Sequence, residues 1–205
     1  MSECFLSDEQ IRKLDRDLQI LIATNGTLTR ILNVVADDEI VVHIVEQQIH
    51  SVAPEMPELN DLAIGRVLQR RILLEGRNTG DALVAAESLI AIDQLPLAIT
   101  TSLTTTDCPI GEVMAANCVE TFKEPATVWI SKLPHWVAHA RFRNPQPSTV
   151  GRRYRIITGG QPVIVITEYF LKNVFHVGPG QESVIANMLL AVQSRDECAV
   201  ARYGG

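Results

Sequence analysis

Apolar residues recur at helical spacing near the start of the chain and alternate with polar ones through much of the remainder. Ile11, Leu14, Leu18 and Leu21 lie three or four apart, the period of one helix face. Ser7 and Gln10 ahead of them form a capping-box pattern, so one helix is predicted to begin there. Asn25-Gly26 breaks it, and Thr27 can cap a short second helix through Leu28, Ile31, Leu32 and Val35. After Asp37-Asp38 the texture turns to β. Residues 39–48 are rich in Val and Ile, and a Pro-containing stretch over 51–60 reads as a loop. Residues 66–74 and 82–92 form a predicted hairpin across the Gly76–Gly80 turn. Residues 95–104 and 110–116 read as short helices, 118–130 as one long strand, and 134–139 as a helical turn. Gly159-Gly160 joins strands over 150–157 and 162–171, a strong hairpin signal, and 183–192 is helical by composition. Hairpins rather than β-α-β alternation predict an α+β domain: a single antiparallel sheet with helices packed on one side.

Strand parity isolates a few charges. Leu68, Arg70, Ile72 and Leu74 share one face of their strand, and Gln69 and Arg71 lie on the other. Arg70 therefore sits in an apolar row, while Arg71 has the polar company expected of solvent. An unpaired buried guanidinium is very costly, so Arg70 requires an anion, either a structural carboxylate or a ligand. The last strand repeats the pattern with opposite sign, since Ile164, Ile166, Glu168 and Phe170 share a face. Arg70 and Glu168 can pair with each other, or stand at opposite ends of a small polar ligand. Glu87, in line with Leu83, Ala85 and Leu89, is a third such charge. Its plain reading is a partner for Arg152, Arg153 or Arg155.

The chain has 205 residues, a hydrophobic fraction of 46% and a net charge of -6. That length suits a single domain over residues 1–205, and the apolar fraction excludes a disordered scaffold. The negative charge argues against nucleic acid, which requires a surplus of Lys and Arg. No apolar run approaches the ~20 residues that span a bilayer, and no signal peptide pattern opens the chain. A soluble cytoplasmic protein is expected. The cysteines at 4, 108, 118 and 198 show no metal-type spacing and read as reduced thiols. His135 and His139 are four apart, but no glutamate follows the first and no third ligand is evident, so no metal site is expected. Gly178-Pro179-Gly180 lacks the strand-to-helix context of a phosphate loop, and no Gly-x-Ser-x-Gly elbow occurs. The profile is that of a protein without metal, nucleotide or covalent chemistry.

Five segments in order resemble the chorismate pyruvate-lyase family. They are Asn25-Gly26-Thr27-Leu28-Thr29-Arg30, Arg70-Arg71-Ile72-Leu73-Leu74, Pro109-Ile110-Gly111, Gly151-Arg152-Arg153, and Gly160-Gln161-Pro162 running on to Ile166-Thr167-Glu168-Tyr169-Phe170. The match spans about residues 10 to 172 and leaves 173–205 without a counterpart. It is nearest to the actinobacterial branch, whose 4-hydroxybenzoate feeds phenolic glycolipids and related benzoates. The resemblance implies a cofactor-free lyase converting chorismate to 4-hydroxybenzoate and pyruvate, on an antiparallel sheet with the ligand enclosed under helical flaps. It implies that Arg70 grips the ring carboxylate with backbone amides of Leu28 and Ile110, and that Glu168 meets the oxygen at the far end of the ring. Glu87 stands where the ubiquinone branch has an arginine near the ligand, a departure. Either Arg152 or Arg153 is a candidate for the enolpyruvyl carboxylate.

A different class remains open. Ligand-binding domains of one group of bacterial transcription regulators share this fold, so a non-catalytic sensor of a small carboxylate is the alternative. The lack of a helix-turn-helix ahead of the sheet and the negative charge count against it. A structural domain in which Arg70 and Glu168 simply pair is the third reading.

Overall fold

The computed structural model of the chain describes residues 3–51, 65–139 and 149–171. The 183–192 helix expected from composition lies outside them. After a two-residue strand β1 (Cys4–Phe5), the capping box forms as the sequence implies. Ser7 Oγ accepts from the Gln10 amide, and Gln10 Oε1 accepts from the Ser7 amide. The single helix expected to follow is instead two, α1 (Asp8–Ile11) and α2 (Arg16–Ala23). Asp15 causes the break. Its carboxylate accepts from the Asp17 amide at 2.9 Å and caps a fresh helix, and Gln19 closes the turn by donating to Leu14 O at 2.7 Å. Next comes α3 (Leu28–Ala36), which ends at Asp37 in the left-handed region, φ 50°.

Five long strands form the body of the sheet: β2 (Ile40–His50), β3 (Val67–Gly76), β4 (Ala82–Ala91), β7 (Thr149–Thr158) and β8 (Gln161–Phe170). Between β4 and β7 lie α4 (Leu97–Thr105), α5 (Ile110–Ala116), β5 (Phe122–Lys123), β6 (Thr127–Ser131) and α6 (His135–His139). The strand order is β1-β6-β7-β8-β4-β3-β2, with β5 also on β7, and every pairing is antiparallel. The long strand expected over 118–130 is thus two short ones, both on β7. Pro125 lies between them and has no N–H for the ladder. Gly159 and Gly160 take φ of 57° and 78°, the two positive angles that a tight two-residue hairpin requires.

Helices α2 to α5 cover one face of the sheet, the inner face. Two apolar clusters lie under them. One gathers Leu18, Leu21 and Leu32 over the row Leu74, Val84, Phe170 and Val150. The other gathers Ile99, Leu103 and Val113 over the row Leu68, Ile90, Ile164 and Ile156. The short α6 sits on the outer face, where Val137 joins Leu73, Ala85, Trp129 and Tyr169. Gly151 belongs to this outer row, opposite Trp129. A Cβ there would lie 2.8 Å from the indole, so only glycine lets the ring cross the strand.

Candidate functional site

Two cross-strand rows run between the two inner clusters, and they are not apolar. One reads Arg70, Ser88, Ile166, Tyr154, and the next reads Ile72, Ala86, Glu168, Arg152. Arg70 and Glu168 therefore share the inner face as parity predicts. They stand two strands apart, about 10 Å between backbones, with small side chains, Ser88 and Ala86, on the strand between. The direct Arg70–Glu168 pair does not form.

Arg70 is 1% exposed and has no carboxylate partner among the described residues. Its Nη1 donates to Cys108 O at 2.9 Å and its Nη2 to Thr106 O at 3.0 Å. Nε has no partner. A guanidinium carries five N–H donors, so the edge formed by Nε and Nη2 still has a hydrogen on each nitrogen for a carboxylate. Burial pulls the Arg70 pKa down, partly offset by the charges of Asp107 and Cys108.

The carbonyls that hold Arg70 lead directly into α5. That helix starts at Ile110 and has no side-chain cap, and neither has α3, which starts at Leu28. Gly111 lies against Thr27, where a Cβ would come 3.2 Å from Thr27 Oγ1. The two uncapped helix starts therefore abut, beside the carbonyls that hold Arg70. Thr29 Oγ1 and Gln47 Oε1 are also buried without partners. Gln47 pairs with Arg70 across the β2–β3 ladder.

Glu168 anchors the other end and is 4% exposed. Arg152 Nε donates to its Oε2 at 2.5 Å, and the Tyr154 hydroxyl donates to its Oε1 at 3.0 Å. Arg152 Nη1 donates to the carbonyls of Leu21 and Ile22, which places a cation on the C-terminal carbonyls of α2. Its Nη2 is buried without a partner. Burial opposes the charge of Arg152, but Glu168 and Tyr154 together outweigh it and the net shift is upward. Burial, reinforced by Glu168, pushes the Tyr154 phenol well above its ordinary value, so it stays a neutral donor.

Strand parity also settles the remaining candidates. Arg153 points to the outer face, where it lies 5.0 Å from the Trp129 ring and pairs with Glu3 at 3.3 Å. Glu87 is on the outer face too. It pairs with Arg71 at 2.7 Å and accepts from Gln69, not from any of the arginines of β7. Arg71 is not in open solvent as expected: it also reaches Glu46 at 2.5 Å and lies 5.8 Å from the Trp136 ring. The helical turn carrying His135 and His139 covers this outer face, away from Arg70 and Glu168. Among the described residues, no group of three or more His, Cys, Asp or Glu is placed to hold a metal.

Sequence reasoning missed two residues. Tyr154 is legible in hindsight, because it shares parity with Arg152. Lys123 was hidden inside the supposed long strand. Its Nζ donates to Gly26 O at 2.7 Å and lies 5.1 Å from the Tyr154 ring.

The sequence profile described as "Chorismate pyruvate-lyase Rv2949c-like" matches residues 22–176. The chain belongs to this family. It is 59% identical over 185 residues to a protein of Mycobacterium tuberculosis named chorismate pyruvate-lyase, covering 89% of this chain and 93% of that one. A Mycobacterium leprae protein of the same name is 62% identical over 182 residues, covering 89% and 87%. Arg70, Lys123, Arg152, Tyr154 and Glu168 all fall within the matched residues. Solved structures extend the likeness of fold alone. PhnF from Mycobacterium smegmatis matches with TM-score 0.57 at 9% identity, covering 75% of this chain and 67% of that one. A GntR-family transcriptional regulator from Bacillus cereus matches with TM-score 0.53 at 11% identity, covering 69% and 98%. This chain and these two proteins thus share the antiparallel sheet expected from the hairpin pattern.

Proposed function

We propose that this chain is a chorismate pyruvate-lyase, converting chorismate to 4-hydroxybenzoate and pyruvate. The observation that carries the reading is a buried site with a cationic surplus at one end and a hydrogen-bonded carboxylate at the other. Family membership, and relatives at 59% and 62% identity that bear this name, support it.

Chorismate is a dianion with a carboxylate on a cyclohexadiene ring, a hydroxyl opposite, and an enolpyruvyl ether beside the hydroxyl. The reaction breaks the ether C–O bond and removes the proton from the carbon bearing the hydroxyl. The electron pair of that C–H bond completes the aromatic ring. The departing enolpyruvate takes up a proton at its methylene carbon and becomes pyruvate, so protons balance. The driving force is aromatisation and belongs to the substrate. The protein need only hold the reactive conformer, exclude water and place a proton acceptor.

Each site residue has a role in this scheme. Arg70 clamps the ring carboxylate through its Nε/Nη2 edge, assisted by the amides of Leu28 and Ile110. Ser88 and Ala86 leave room for the ring. Glu168 accepts from the ring hydroxyl and assists the nearby proton transfer. Arg152 and Tyr154 hold Glu168 in place, and the free Nη2 of Arg152 faces the departing enolpyruvyl group. The scheme calls on no cofactor. A cytoplasmic enzyme supplying 4-hydroxybenzoate for phenolic glycolipids or related benzoates is the context that the resemblance suggests. Among the described residues no helix is long and apolar enough to cross a membrane.

The test is to incubate the purified protein with chorismate and follow pyruvate and 4-hydroxybenzoate together. Equal amounts of both should appear. Tight binding of chorismate with no pyruvate would instead favour the non-catalytic sensor.

A further inference from the structure

Lys123 lies within the same network but has no role in the lyase scheme. It sits on β5, beside β7, and reaches across to the loop between α2 and α3, where Nζ donates to Gly26 O. Both Lys123 and Arg152 lie against the Tyr154 ring, at 5.1 and 5.2 Å. The Tyr154 hydroxyl in turn bonds Glu168. Lys123 forms no ion pair among the described residues, and one of the three donors of its ammonium is committed to Gly26. Burial, with Arg152 nearby, lowers its pKa, and the charge of Glu168 only partly restores it.

The charges explain why a cation would be kept there. Arg152 and Glu168 cancel one another. Arg70 and Lys123 are then left, one toward each end of the site. A substrate with a single carboxylate would satisfy Arg70 and leave Lys123 without an anion. Chorismate has two carboxylates, and the second hangs from the ether next to the hydroxyl that Glu168 meets. We propose that Lys123, together with the free Nη2 of Arg152, receives the enolpyruvyl carboxylate and so selects the dianionic substrate over the monoanionic product.

This inference rests on the lyase reading, and the experiment separates the two failures. Lys123→Ala and Lys123→Arg are compared with wild type in KM and kcat for chorismate and in the inhibition constant of 4-hydroxybenzoate. Wild type must first release pyruvate; if it does not, the lyase reading fails by itself. Given activity, Lys123→Ala should raise the KM for chorismate about tenfold or more, leave the inhibition constant of 4-hydroxybenzoate unchanged, and be largely rescued by Lys123→Arg. An equal loss of affinity for chorismate and 4-hydroxybenzoate would overturn the proposal, because Lys123 would then only brace the Gly26 loop ahead of α3. An unchanged KM would overturn it as well.

Discussion

The two faces of this sheet carry similar charges and use them differently. On the outer face Arg71 meets Glu46 and Glu87, Arg153 meets Glu3, and Arg155 meets Glu124. Each guanidinium there is answered by a carboxylate. On the inner face Arg70 is answered by two backbone carbonyls, Lys123 by one, and Nε of Arg70 and Nη2 of Arg152 by nothing. Leaving buried donors unfilled costs free energy, about 1–3 kcal/mol each. A fold that only needed internal ion pairs would not retain such groups in the middle of its inner face. The lesson is that a charge in an apolar row does not mark a site; an unbalanced charge with free donors does.

The largest expected effect is on chemistry and separates the faces. Glu168→Gln should lower kcat for pyruvate release about 100-fold, within the usual range for a positioned proton acceptor. Glu87→Gln on the outer face should leave kcat nearly unchanged. Equal losses from the two variants would erase the distinction. A thermal melt of each protein guards against unfolding, since Glu168→Gln leaves Arg152 without its anion.

Next comes ligand selection. 4-Hydroxybenzoate should inhibit at or below the KM for chorismate, because in the proposed site it would lie between Arg70 and Glu168 and leave only when the starts of α3 and α5 open. Benzoate lacks the hydroxyl that Glu168 accepts from and should bind about tenfold weaker. Glu168→Gln should shrink that difference in a calorimetric titration.

Outer-face changes should cost stability and leave kinetics alone. Gly151→Ala drives a methyl into the Trp129 ring and should destabilise by about 1–3 kcal/mol. Arg71→Ala should cost about 1 kcal/mol, because its ion pairs are partly screened by solvent. Melting temperatures should fall while the KM for chorismate holds. A large kinetic defect from either would place part of the site on the wrong face.

The smallest effects concern pH and metals. The pKa of Lys123 lies below the ordinary lysine value of 10.5. Rising pH therefore removes its proton from the free protein before that value, while a bound carboxylate favours keeping it. The complex then holds more protons than the free protein, so chorismate affinity should fall as pH rises through that range. Glu168, Arg152 and Tyr154 face Lys123, and Tyr154 stays protonated throughout because its own value is raised. A KM that is flat with pH would count against Lys123 as a substrate contact. A chelator should leave kcat unchanged, and loss restored by a divalent ion would contradict the cofactor-free scheme.

Much of this was legible in sequence because strand parity is rigid. The period of two put Arg70 and Glu168 on one face and Arg71 on the other, and the register bears this out. Hairpin glycines fixed the pairing of β7 with β8. Parity cannot say what crosses the sheet. It left open whether Arg70 and Glu168 pair, which depends on β4 intervening between β3 and β8. It offered Glu87 the arginines of β7, whereas Arg71 of β3 holds it, and Arg71 came to rest under Trp136 only because α6 folds onto the outer face. Lys123 was illegible for a local reason. The apolar content of 118–130 suggested one strand, whereas Pro125 divides it and the short β5 turns Lys123 toward Gly26.

The most direct measurement of the central claim compares neighbours in sequence that lie on opposite faces. The kcat/KM for chorismate is measured for wild type, Arg70→Ala and Arg71→Ala, with pyruvate as the readout. Arg70→Ala removes two charge-assisted bonds to the ring carboxylate and should fall about 100-fold or more. Arg71→Ala should stay near wild type. Similar losses in both variants, or a larger loss in Arg71→Ala, would contradict a ligand site on the inner face.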